Sequence, residues 1–129
     1  MLAASLAGDI ARIGFGLALL AAGVAKIGQG RAWTVQAAAN QVPAFVARAV
    51  PWLELTTGAA VVSGVGSPWP SVAGVALTAA FTVWIIVQLA ADRHPPCACF
   101  GAWSAAPLSW RHGVRNAALI ALGLVAVVA

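Results

Sequence analysis

Charge is what this sequence has least of: seven lysines and arginines and three acidic residues make up 8% of 129 positions. A soluble domain carries about 25%, so the deficit excludes an ordinary water-soluble fold. The length leaves no room for a second domain. Basic residues are scattered along segment ends, with no run or stripe, which excludes tracking a nucleic-acid backbone despite the net charge of +4. No stretch alternates in polarity for long enough to make barrel strands, so helices must satisfy the backbone in lipid. Tyrosine is absent, so an aromatic belt falls to the six tryptophans. Cysteine occurs only twice. With no second pair, the chain has neither the extra thiols of a self-sufficient disulfide-generating oxidase nor the four ligands of a closed zinc site.

What is present is apolar: 62% hydrophobic residues, with a mean hydropathy of +0.93. Runs of roughly 17–25 apolar residues predict four spans, at about 5–27, 43–65, 70–91 and 109–129. The expectation is an all-α, polytopic transmembrane four-helix bundle. It would form one membrane domain over 1–129, multi-pass in the cell (inner) membrane, with the lipid bilayer as its surroundings. The first run resembles a leader, with an apolar stretch from Ile13 to Leu20 followed by Ala21, Ala22 and Gly23. Its basic flank is weak because Asp9 offsets Arg12, so it reads as a retained span. Pro51 would break a helix begun at Pro43. The expected solution is a short interfacial piece, Ala44 to Ala49, then a helix with Pro51 in its first turn. That would place Glu54 near a helix N-terminus, where the dipole favours an anion. Pro95 and Pro96 stop the third span.

Glycines 14, 16, 23, 58, 74 and 123 lie inside the spans, where small residues let helices approach closely. Trp33, Trp52, Trp103 and Trp110 are expected at one membrane face and Trp69 at the other, with Trp84 deeper as a packing residue. Four spans put both termini and the 64–70 turn on one side with Arg12. Lys26, Arg31, Arg48, Arg93, Arg111 and Arg115 collect on the other. The positive-inside rule assigns that second side, with the loop before the fourth span, to the cytoplasm.

That loop holds both cysteines, in Cys97-Ala98-Cys99-Phe100-Gly101. Cysteines two apart reach disulfide range in a turned backbone, whereas an extended one sets the Cα atoms near the limit of about 6.8 Å. The ring so closed is small and comparatively easy to reduce. Arg93, Arg111 and His94 nearby favour the thiolate. Three readings stay open: a redox pair, a soft-metal site shared with His94 and completed only by His112, or two small packing residues. Ionisable residues within spans are functional hypotheses by default. Glu54, Lys26 and Arg115 project into the same membrane half as the loop, from three helices. Glu54 is expected to pair with Lys26 or Arg115, with Asn116 bridging and Gln88 joining from the third span. Such a core would serve assembly, supply protons, or hold the polar head of a quinone-like ligand.

These residues carry a resemblance. Gly23 to Lys26 closing helix one, Trp52-Leu53-Glu54-Leu55 with Gly58 in helix two, the Cys97–Gly101 run and Arg115-Asn116 opening helix four resemble the DoxX-like superfamily. They are most similar to its MauE branch, the methylamine-utilisation membrane proteins. The resemblance implies thiol–disulfide chemistry with a thioredoxin-like partner outside the cytoplasm. It also implies Cys97 and Cys99 as the redox pair, and Glu54, Lys26, Arg115 and Asn116 as a shared polar core. A reading of another class is a non-enzymatic accessory subunit that binds and stabilises a larger membrane complex, a transporter or respiratory assembly, so the residues leave open whether the chain is an enzyme. A third is carriage of a lipid or quinone within the bundle.

Overall fold

The computed structural model of the chain describes residues 2–93 and 109–128. The described residues form α1 (Leu2–Gln29), α2 (Arg31–Ala39), α3 (Ala44–Ser63), α4 (Trp69–Ala90) and α5 (Trp110–Val128), with no strand among them. Four of these, all but α2, are long and apolar enough to cross a membrane. They start and stop within a few residues of the four predicted spans. Helices are forced here because lipid offers the backbone no hydrogen-bond partner. Side-chain hydroxyls follow the same logic: Thr78 Oγ1 donates to Gly74 O at 2.9 Å and Thr82 Oγ1 to Thr78 O at 2.7 Å, each within its own helix.

The closest packing is between α1 and α3, which run antiparallel. A Cβ on Gly58 would lie 2.9 Å from both Gly16 O and Leu20 N, and one on Gly23 would lie 2.9 Å from Pro51 O. The two backbones therefore touch along a seam of small residues, as membrane packing favours. At the far end of this seam Arg12 donates to Val61 O at 3.0 Å and to Val62 O, fastening α1 to the last turn of α3. Gly64 then closes α3 at φ +79°, a left-handed conformation suited to a residue without Cβ. Around the other side of α1, the Phe15 ring, 1% exposed, lies against the backbones of Gly74 on α4 and Gly123 on α5.

Three expectations need correction. The helix α2 was not anticipated: α1 ends at Gln29, Gly30 turns the chain at φ +56°, and α2 lays Trp33 and Ala37, one helical turn apart, onto Ala47 and Val50 of α3. Second, α3 does not break at Pro51 but runs unbroken from Ala44 to Ser63. Proline removes the N–H that would bond the carbonyl four residues earlier, that of Ala47. The Trp33 indole takes that place, its Nε1 donating to Ala47 O at 2.7 Å. Glu54 accordingly sits mid-helix rather than at an N-terminus. Third, Trp33 is 4% exposed and not a belt residue, whereas Trp52, Trp69 and Trp110 are exposed as the belt requires. Trp103 lies outside the described residues.

The Trp33–Ala47 bond yields a test. Trp33→Phe keeps a ring but leaves Ala47 O unsatisfied, so it should cost about 1–2 kcal/mol, read by detergent-titrated unfolding. Adding Pro51→Ala restores an N–H at position 51 and should recover most of that loss. Equal stability of the single and double variants would remove the indole from this role.

Candidate functional site

The antiparallel register of α1 against α3 brings Lys26, in the last turn of α1, opposite Glu54. Lys26 is 0% exposed and Glu54 3%. Lys26 Nζ donates to both carboxylate oxygens, at 2.9 Å to Oε1 and 3.0 Å to Oε2. Two rings complete the surround of the ammonium, with centroids 4.9 Å away for Phe81 of α4 and 5.4 Å for Trp33 of α2. The negative faces of aromatic rings stabilise a cation best where water is excluded. One charge pair thus joins α1, α2, α3 and α4.

Beside it lies a cavity of about 30 Å³, lined by Glu54, Thr78 and Asn116 among apolar side chains that include Phe15 and Leu19. That is room for a water molecule with polar partners on three helices. Asn116, 2% exposed, accepts from Arg115 Nε at 3.3 Å and Nη2 at 3.2 Å through its Oδ1. Of the two ion pairs open to Glu54, the structure forms the one with Lys26, and Arg115 reaches this region through Asn116. Gln88 is buried on α4.

A larger space of about 280 Å³ separates α2 from α3 and α4, walled by Trp33, Val50, Leu53, Phe81 and Trp84. Its volume is near the lower limit for small-molecule sites, and its apolar lining suits a hydrophobic tail or ring. Trp84 packs against Ile85 and Leu89, with its Nε1 buried and without a partner among the described residues.

His94, Cys97 and Cys99 lie outside the described residues. They fall in sequence between Arg93, three positions past the end of α4, and Ser109, whose backbone N–H donates to His112 Nδ1 at 3.1 Å. No cluster of three potential metal ligands occurs among the described residues.

Sequence reasoning identified Lys26, Glu54 and Asn116 but missed Phe81 and Trp33, the rings over the ammonium. Phe81 had no signal, being one apolar residue in an apolar run. Trp33 had one: a proline at position 51 within an otherwise apolar span implies a donor for Ala47 O, and a nearby indole supplies one. In comparison with known proteins, the chain matches the family described as methylamine utilisation protein MauE over residues 4–129. No curated protein and no solved structure matches the chain.

Proposed function

This chain belongs to the MauE family of methylamine utilisation proteins, and on that premise we propose that it is a thiol–disulfide redox accessory protein of the cell (inner) membrane. Cys97 and Cys99 are its working pair. The thiolate of one attacks a disulfide of a thioredoxin-like partner, forming a mixed disulfide and releasing one partner thiolate. The second cysteine then attacks the mixed disulfide. The chain is left oxidised and the partner is released as a dithiol, two electrons having passed between them. The reverse sequence balances equally. Cys97 is the favoured attacker, being nearer Arg93 and His94 in the chain.

The observation that supports this reading is the closed Lys26–Glu54 core, with Asn116 and Gln88 buried in the same membrane half. The two helices that bear the cysteine segment, α4 and α5, both contribute to that half. Buried groups near the last turn of α4 and the first turns of α5 fix the two ends from which the cysteine segment is strung. In this reading Glu54, Lys26, Arg115 and Asn116 position the loop, and His94 tunes the thiol. The test is capture: Cys99→Ser, expressed in its native membrane, should hold a partner through Cys97 as a conjugate released by reductant. If neither Cys97→Ser nor Cys99→Ser captures any protein, the redox role fails.

One observation favours a second reading, an accessory subunit of a larger membrane complex. The most apolar windows of α4 and α5 are only 17% buried within the chain, against 44% for α1. Uncovered faces on those two helices suit a partner's helices as well as lipid. This reading predicts copurification with a large complex that survives replacement of both cysteines by serine. Isolation as a stable, thiol-active monomer would overturn it.

A further inference from the structure

At the membrane border where α1 ends, α2 begins and α3 enters, a groove of about 360 Å³ lies open. Its walls include Ile27, Trp33, Pro51 and Trp52, and its polar groups include Thr34 and Arg48. Lys26 also borders it, but that ammonium is closed off by Glu54. Arg48 is exposed, on the second turn of α3, and forms no ion pair among the described residues. Arg31, next to the groove residue Gly30 in the chain, is a second exposed cation at this end.

We infer that this groove binds one anionic phospholipid, its phosphate on Arg48 and its acyl chain along the apolar wall. A guanidinium has five donors and no acceptor, and its planar fork matches two phosphate oxygens. No open carboxylate borders the groove, since Glu54 is occupied, so the local field is positive and favours a headgroup of net negative charge. The apolar wall selects a ligand with a tail, for which a free phosphate has no use. Trp52, 63% exposed, stands at the rim, where an indole presents its N–H at headgroup level and its ring to the chains. The groove residues named here lie outside the cysteine segment in the sequence, and the test does not depend on thiol chemistry.

The experiment is native mass spectrometry of the full chain in phosphatidylcholine-containing micelles, with dioleoylphosphatidylglycerol titrated in. The wild type should take up one phosphatidylglycerol in preference to phosphatidylcholine. Arg48→Gln should weaken that binding about five-fold, the effect of one cation at a membrane surface. Arg48→Lys should retain most of it. Arg111→Gln removes an exposed cation on α5 that does not border the groove, and should leave binding unchanged. Equal uptake of the two lipids by the wild type overturns the inference without reference to any variant. So does an equal loss in Arg48→Gln and Arg111→Gln. Full competition by inorganic phosphate at matching concentration would assign the groove to a free anion and overturn the lipid assignment.

Discussion

Glu54→Leu should destabilise the bundle by about 3–5 kcal/mol, because it strands the Lys26 ammonium in an apolar interior. Lys26 has no exposure through which to reach water, and a lone charge at membrane depth costs about 2.5–3.5 kcal/mol even on insertion scales. The rings of Trp33 and Phe81 offset part of that cost but carry no formal charge. Lys26→Met should cost a similar amount by stranding the carboxylate. The double variant Lys26→Met with Glu54→Leu removes both charges and should recover most of the loss, since a well-packed apolar pair of similar volume replaces a buried ion pair at little cost. Detergent-titrated unfolding of the four proteins closes the cycle. A double variant as unstable as the sum of the singles would mean that the pair is not the interaction at stake. The same protein separates two roles for the core. If it folds and still captures a thiol partner, the ion pair serves assembly. If it folds and captures none, the pair acts on the chemistry of the loop.

Gly58→Ala should cost about 3 kcal/mol, the upper end of the range for overpacking. The added methyl would meet backbone on α1, Gly16 O and Leu20 N at 2.9 Å, with the Leu20 side chain at 3.0 Å. Backbone cannot rotate away, so α1 and α3 must separate along the seam that also sets the Lys26–Glu54 register. Gly14 supplies the internal control. It lies on α1, the partner helix of the seam, is exposed, and has nothing within 4 Å of where its Cβ would be, so Gly14→Ala should change stability by less than about 1 kcal/mol. The measurement is the same unfolding titration. Equal effects at positions 14 and 58 would show that helix propensity, not contact, governs these glycines.

Much of this was legible in the chain. The number and limits of the spans followed from apolar run length, and close helix approach from glycines 14, 16, 23, 58, 74 and 123, although which helices meet there did not. Lys26, Glu54 and Asn116 were marked as a core because ionisable and amide groups in a span require partners. The partner itself was not legible: Lys26 and Arg115 were equally placed for Glu54 until the register of α1 on α3 was known. Pro51 was misjudged because its effect on a helix is usually local, and here a residue from another helix cancels it. The helix α2 escaped notice because nine residues with one buried edge carry no signal of a span.

The sequence by itself determined a four-span, all-helical membrane protein with a seam of small residues, since span length and backbone hydrogen bonding in lipid are properties of each segment alone. Tertiary structure decided which charge neutralises Glu54, which rings cover Lys26, and that α3 passes unbroken through Pro51. Each of these depends on a group from a different helix. Trp33 lies 14 positions from the carbonyl it satisfies, and Lys26 lies 28 from the carboxylate it binds. Only packing brings such groups together, and no local pattern encodes the register at which they meet.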